Sequence, residues 1–525
     1  MKLKLIAAAL SVSLVACVST ENTSQISSAP LVSPTTVLSP VTNGELVKNA
    51  SGVITLEQIM ADPDWFGRAP ESWYWGDDSD TVFYEQKQLG NPLRDLFVKN
   101  LDSNKEAYQV SLTDHHIVAD KNAKRNSDNT LEIYSFKGNV FVKELASKSV
   151  KQITYTSANE SDALFLTNGK IAYRAGDIFY SHDLKTGQIV ELANLQMVEK
   201  PKGVESPTSY LAKEQHKLIT YIALQQRNNE LTEQQKETLA RQNLTITTTK
   251  YYFGKDKRVS YASLSPTGDK LLVSITAAKS SRDDTDIMPN YITKDGTVAA
   301  EKVRARVANN RQYKEAIFFI DLNKGEKFPL SYESLPDFDA DVLAEVKKEN
   351  HARQGKIYES KKQARNIHLL QMSFPVKWNE DGSQVALMLE AWDNKTRWLT
   401  TVNFDDNKLV NQHELHDDAW INYSLNEFDW VGNDALYYLS EESGYSHLYH
   451  KALNSDKAQQ LTSGKFEVSG VTLTQDQQRF IFKANKKHPG IYEIYQVDLA
   501  KNLKALTDLG GKNDYTLSTD ESKLL

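Results

Sequence analysis

A single cysteine, Cys17, occurs in 525 residues, so the chain can build no intramolecular disulfide, no iron–sulfur cluster and no cysteine zinc site. Charge of one sign is missing as a block. The 69 acidic and 62 basic residues are spread along the whole length for a formal net charge of −7, which argues against nucleic acid as a partner. Apolar residues at 40% and charged residues at 25% are the balance of a water-facing globular protein, neither disordered nor embedded in a bilayer. The length exceeds one small core and calls for several domains or one large repetitive architecture.

The first residues, Met1-Lys2-Leu3-Lys4, are basic, and an apolar stretch runs from Leu5 to Ala16. That stretch is too short to span a bilayer as a stable helix and has the order of an export signal, residues 1–16. Leu14-Val15-Ala16-Cys17 resembles the lipobox of bacterial lipoproteins, which implies lipidation at Cys17. Val18 follows where an Asp is absent, and by likeness to Gram-negative lipoproteins this implies sorting to the outer membrane with the body facing the periplasm. Residues 17–54, rich in Ser, Thr, Pro and Val to about Thr42, read as a flexible tether.

From Thr55 onward, short alternating apolar runs are punctuated by Gly, Asp and Asn, as in antiparallel strands joined by tight turns. The runs repeat. A polar turn precedes a strand in Ser265-Pro266-Thr267-Gly268-Asp269-Lys270 and in Asn379-Glu380-Asp381-Gly382-Ser383-Gln384. A strand ending in Asp-Leu recurs at Ile178–Leu184, Ile317–Leu322 and Ile491–Leu499, and units close on Ile153-Thr154, Leu461-Thr462 and Leu506-Thr507. Each unit is a four-stranded meander, one blade of a β-propeller. The expected fold is all-β, a seven- or eight-bladed propeller over residues 55–525, with units starting near Trp73, Leu131, Ala163, Tyr261, Ser373, Asn426 and Val471. An eighth unit opens at Tyr515 with the turn Ser518–Lys523, and the sequence stops at Leu525, so the last blade is expected to be incomplete and the chain a truncated product. Two segments depart from the β pattern, about 207–241 and 341–365, and are predicted to be helical insertions.

Chemical constellations are sparse. A serine hydrolase needs a G-x-S-x-G turn between strand and helix, whereas Gly444-Tyr445-Ser446-His447-Leu448 lacks the closing Gly and sits between strands. His413-Glu414-Leu415-His416-Asp417-Asp418 has the wrong spacing for H-E-x-x-H and is read as a polar turn between blades. Asp114-His115-His116 would lie on a strand that splits its imidazoles between two faces. The eight Trp fall in two groups, Trp65, Trp73 and Trp75, then Trp378 to Trp430, and are expected to pack between adjacent blades. Arg304, Arg306 and Arg311 read as a solvated face. No catalytic residue, metal site or cofactor is expected.

Specific strings carry a resemblance. Met60–Pro70 (Met-Ala-Asp-Pro-Asp-Trp-Phe-Gly-Arg-Ala-Pro), Asp417–Asn422, Leu439–Tyr449 and Leu461–Val468 resemble the N-terminal propeller of bacterial peptidases of the prolyl oligopeptidase and dipeptidyl peptidase IV family. In that family the propeller restricts access to an α/β-hydrolase domain bearing a Ser-Asp-His triad. The resemblance therefore implies a propeller that admits proline-containing peptides, joined to a hydrolase domain for catalysis and inactive alone, and Cys17 adds the expected lipid anchor. Family dipeptidyl peptidases also hold the substrate amine with adjacent glutamates on a propeller insertion. Glu214 stands beside Gln215 at that place, which makes Glu214 the candidate substrate-binding residue and argues against aminodipeptidase specificity. Glu441-Glu442 belongs to a different motif. The rival reading is a complete non-enzymatic propeller that scaffolds envelope proteins in the manner of TolB.

Overall fold

The computed structural model describes residues 54–525 apart from 62, 202–206, 244–248, 279–284, 306–313, 371–373 and 423. Cys17, the export signal and most of the tether lie outside the described residues, as do Ser373, Arg306 and Arg311. The chain divides into two compact units, one comprising the segment up to Ser72 with Glu85–Leu96, the other Trp73–Tyr84 with Phe97–Leu525. In the smaller unit, Thr55 Oγ1 accepts the Gln58 amide and caps the helix Leu56–Met60. The Asp64 carboxylate accepts from Lys87 Nζ and the Gly90 amide, both at 2.7 Å, which holds its pKa below the usual range.

Seven antiparallel meanders follow one another in chain order, a seven-bladed β-propeller. Their first strands are Glu71–Trp75, Lys124–Arg125, Glu160–Phe165, Lys257–Leu264, Val376–Trp378, Phe428–Val431 and Val468–Leu473. The third sheet gains a parallel edge strand, Lys250–Tyr252, and the fifth pairs both Ile367–Leu369 and Val376–Trp378 with Val385–Ala391. The core is divided into layers between consecutive sheets. One layer joins Leu272, Ile317 and Phe319 of the fourth sheet to Leu387, Leu389 and Trp398 of the fifth. Others lie between the second and third, third and fourth, fifth and sixth, and sixth and seventh sheets. A middle strand is therefore covered on both faces, and every residue of Val385–Ala391 is buried, so its sequence is apolar at every position but Glu390 rather than an alternation.

Two local devices repeat around the ring. The Thr closing a unit turns back on the third strand of its own sheet: Val140, Leu448 and Ile494 amides donate to Thr154, Thr462 and Thr507 Oγ1 at 2.9, 3.0 and 2.9 Å. The polar turn after a first strand is closed by its own first residue. Ser265, Asn379, Thr474 and Ser518 side chains accept the amides of Lys270, Gln384, Arg479 and Lys523. The fourth position of each turn has positive φ, at Gly268, Gly382, Gln477 and Glu521 (72°, 68°, 56° and 57°), a conformation that costs glycine nothing.

First strands of neighbouring sheets bond to one another, which places them innermost. Trp378 Nε1 donates to Ser263 Oγ (3.1 Å), Trp430 Nε1 to the Lys377 carbonyl (2.8 Å), and Lys377 pairs with Asp429 (2.9 Å). The Gly470 and Val471 amides donate to the two oxygens of Glu427 at 2.7 and 2.6 Å. The segment Tyr515–Leu525 continues the series. The Tyr515 hydroxyl lies 2.7 Å from the Gly470 carbonyl, and the Gln475 amide donates to Glu521 (2.8 Å). On the other side Trp75 Nε1 donates to the Thr516 carbonyl (3.1 Å), the Asp520 amide to Ser79 Oγ (3.1 Å), and Lys523 pairs with Asp80. This hairpin sits between the seventh sheet and the first.

The differences from expectation have physical causes. Leu131 opens the second strand of its sheet, since Lys124–Arg125 is a strand of two polar residues with no apolar pattern to mark it. The stretch 207–241 is two helices, Tyr210–Leu218 and Thr220–Gln242, separated at Ile219, which is extended at ψ 91°. Of 341–365 only Ala344–Arg353 is helical; it has no buried face, and Gly355 at positive φ ends it. Among the described residues no helix is long and apolar enough to cross a membrane.

Candidate functional site

Alternation of strand direction sorts the connections. Turns from first to second and from third to fourth strands emerge on one face of the ring, while second-to-third turns and crossovers between sheets emerge on the other. All three insertions leave from that second face. The helices 210–242 follow a fourth strand, the hairpin Thr285–Asn290 with Ala299–Ala305 joins a second strand to a third, and Ala344–Arg353 lies in a crossover. Long loops held by a rigid sheet scaffold are where binding groups concentrate, so this face is the place to look.

On it, the fifth and sixth sheets bring together ionisable groups far apart in sequence. Cross-strand register sets Arg397 opposite Glu390, 4.0 Å apart, with side chains 4% and 8% exposed. Arg397 Nη2 also donates to the Asn422 carbonyl at 3.2 Å. His413 stacks on Tyr438 at 4.5 Å, with Nδ1 3.3 Å from the Tyr438 hydroxyl and Nε2 3.4 Å from Glu442. Burial, with Lys451 nearby, pushes the His413 pKa down to about 4, and burial raises the carboxyls of Glu441 and Glu442. A neutral imidazole beside carboxyls drawn toward their neutral form makes a rim of hydrogen-bond donors and acceptors rather than a metal cage. Among the described residues no three His, Cys, Asp or Glu are placed to hold a metal ion.

A cavity of about 670 Å³ lies under the crossover, lined by Asp341, Lys347, Tyr358, Lys361, Arg365 and Asp393. Its carboxylates are engaged internally. Asp341 accepts from Lys347 (2.6 Å), Tyr358 and Ser360, which holds it at about 2, and Asp393 is forked by Arg365 at 2.7 and 3.0 Å.

The residues singled out in the sequence fare differently. Ser446 is fully buried and donates to the Val468 carbonyl (2.9 Å), while His447 faces Thr462 and the Gly464 carbonyl, so the two adjacent residues do not form a nucleophile and base. His413 to His416 end a strand, Lys408–His416, and are not the loop the sequence suggested; the strand carries polar side chains because its outer end meets the rim. His115 and His116 lie in a 3-10 turn, His115–Ile117, not on a strand. Trp378 and Trp430 bridge neighbouring sheets as expected, whereas Trp420 is 74% exposed on the second face. Glu214 sits in the helix Tyr210–Leu218, paired with Lys217 at 2.9 Å. Arg304 lies in the strand Ala299–Ala305. The Arg397–Glu390 pair and the His413–Tyr438 stack escaped the sequence reading, because both depend on strand register; Glu390, the one polar residue in the strand Val385–Ala391, was the visible trace of the pair.

Residues 349–525 match the profile of the dipeptidyl peptidase IV N-terminal region. No curated protein sequence matches the chain. The fold is similar to that of Porphyromonas gingivalis dipeptidyl peptidase 4, with 11% identity, a TM-score of 0.48, and coverage of 87% of this chain and 55% of that one. It is also similar to a Bacteroides ovatus protein described as a dipeptidyl aminopeptidase IV, with 13% identity, a TM-score of 0.45, and coverage of 86% and 55%. The chain spans about half the length of both, at 55%.

Proposed function

Because the chain carries the N-terminal region of the dipeptidyl peptidase IV family over residues 349–525, we propose that it is the substrate-gating propeller of an exported serine peptidase acting on proline-containing peptides. Catalysis belongs in this reading to an α/β-hydrolase domain outside these 525 residues. The observation that carries it is the extent of the family match, which spans the fifth, sixth and seventh sheets and so includes the rim formed by Arg397, His413, Glu441 and Glu442. That rim, together with insertions leaving the same face, supplies a surface on which a second domain can dock and peptides can be sorted. Cys17 anchors the protein by lipid to the outer membrane, with the propeller in the periplasm; Leu14-Val15-Ala16-Cys17 supports this part.

The test is a pair of assays on the purified chain. It is expected to bind a short Ala-Pro peptide and to release no p-nitroaniline from Ala-Pro-p-nitroanilide. Turnover that a serine-directed fluorophosphonate blocks would overturn the division of labour. For the anchor, metabolic labelling with an alkyne palmitate is expected to mark the wild type and not C17A.

A further inference from the structure

The crossover between the fourth and fifth sheets is tied down at its base. There Ser334 Oγ donates to the Leu409 carbonyl (2.8 Å) and Trp398 Nε1 to the Pro336 carbonyl (3.0 Å). The two legs of the crossover then pair with each other, the Arg365 amide donating to the Phe338 carbonyl (2.8 Å) and the Gln363 amide to that of Asp339 (3.0 Å). Arg365, its side chain 5% exposed, fixes the returning leg by forking Asp393 and reaching Thr396 Oγ1 at 2.9 Å. Outward of Gln363, among the described residues, no backbone bond joins one leg to the other.

Residues 342–359 project from this stem. None of them is buried, and Leu343, Val346 and Ile357 are exposed, so no buried apolar side chain pins the segment to the ring. What closes it is Asp341, at the top of the stem. Its carboxylate accepts from Lys347 Nζ in the helix (2.6 Å) and from the Tyr358 and Ser360 hydroxyls of the returning leg, the latter at 3.1 Å. Tyr358 also lies 5.0 Å from the His351 ring and 5.5 Å from Lys347 Nζ. The helix Ala344–Arg353 meanwhile holds itself together. Lys348 pairs with Glu345 (2.7 Å) and Arg353 with Glu349, and the Lys356 amide ties its end by donating to the His351 carbonyl (2.8 Å). Asp341, Lys347 and Tyr358 also line the cavity of about 670 Å³, together with Arg365 and Asp393 of the stem and fifth sheet. Releasing the carboxylate's contacts therefore opens that wall of the cavity.

We propose that residues 342–359 are a hinged lid over this cavity, with Asp341 as its clasp. Opening breaks the bonds that Lys347 and Tyr358 make to Asp341 and leaves the stem and the helix intact, so the cavity is exposed without unfolding. The hinges fall beside the clasp, at Val342-Leu343 and at Ser360-Lys361. The lid adjoins the rim, because the turn that carries Asp393 also holds the loop of Trp420: the Ile421 amide donates to the Asn394 carbonyl (2.8 Å) and the Asp417 amide to that of Lys395 (3.0 Å). Its mechanics do not depend on the gating reading.

The experiment uses the full chain with C17S, which removes its one native thiol, and nitroxide labels on Q354C in the lid and K408C in the fifth sheet. Double electron–electron resonance is expected to give one dominant distance in this parent and a second population in D341N. The open fraction should rise about ten-fold or more, since hydrogen bonds to a charged acceptor are lost. K347M, which removes the clasp's partner and spares the clasp, is expected to open the lid to a smaller extent, and it keeps the test alive if D341N folds poorly. D339N removes only the 3.6 Å pair with Lys362 and is expected to leave the distribution unchanged. Hydrogen exchange of the amides in Ala344–Arg353, read by mass spectrometry, should stay at the parent level in every variant. An unchanged distance in both D341N and K347M, or an equal shift in D339N, overturns the proposal. Faster exchange throughout the helix in D341N overturns it too, because Asp341 would then support the helix rather than clasp a lid.

Discussion

Glu427 offers a sharp test of how the sheets are joined. Its carboxylate, at the start of the sixth sheet, accepts the amides of Gly470 and Val471 at 2.7 and 2.6 Å, and these are the residues at which the first strand of the seventh sheet bulges. The bulge takes both amides out of the ladder, so no strand partner can replace the carboxylate. Hydrogen bonds to a charged acceptor contribute about 1.5–3 kcal/mol each, and partial access to water reduces their sum, so E427A is expected to lose about 2–4 kcal/mol. E427Q keeps one oxygen as acceptor and should lose about half of that. Equilibrium unfolding in guanidinium measures both, as a shift in midpoint at unchanged slope. Amide exchange supplies the local readout, with Gly470 and Val471 expected to exchange faster than the rest of their strand. A cost below about 0.5 kcal/mol for E427A, or unchanged exchange at these two amides, would refute the reasoning.

Two further outcomes follow from the same structure. T507V keeps the shape of the side chain but removes the acceptor of the Ile494 amide and the donor 2.6 Å from Glu493, a fully buried carboxylate. It is expected to cost about 1–3 kcal/mol by the same denaturation midpoint, with T507S close to the wild type. His413, held at about 4 against an ordinary 6.5, takes up its proton later than it does in the unfolded chain. Its contribution is therefore intact above pH 6.5 and is lost as the pH falls through about 4. H413N should flatten that part of a stability-against-pH curve, and a curve that superposes on the wild type would disprove it.

The repeat was legible in the sequence wherever a local geometry demands particular residue types. Ser265, Asn379 and Ser518 head turns whose side chains must accept a backbone amide, and Gly268 and Gly382 stand where φ is positive. The unit-closing Thr was visible for the same reason, because the Oγ1 that accepts an amide cannot be supplied by an apolar residue. What escaped notice depends on partners. A strand as short as Lys124–Arg125 exists because Leu131–Phe136 pairs with it, and nothing in two polar residues announces this. The 3-10 turn His115–Ile117 follows a fourth strand of only two residues, Tyr108–Gln109, and the Asp-His-His string contains no breaker to signal it. The rim is assembled from sheets adjacent in the ring. Its chemistry appears only after register and ring order are known, which is why Arg397 and His413 were not grouped with their neighbours.

The hairpin between the seventh sheet and the first has a consequence for biosynthesis. Its bonds from Trp75 to Thr516 and from Asp520 to Ser79 join residues 441 apart in the chain. At about 5–20 residues per second, a first sheet leaving the ribosome waits roughly 20–90 s before its counterpart exists. During that interval one broad side of the sheet has no neighbour, so the opening segment of the polypeptide is the last to be secured. Chaperone dependence should accordingly concentrate at the N-terminal end of the ring, and ring closure, with its large contact separation, should set the slowest step of folding.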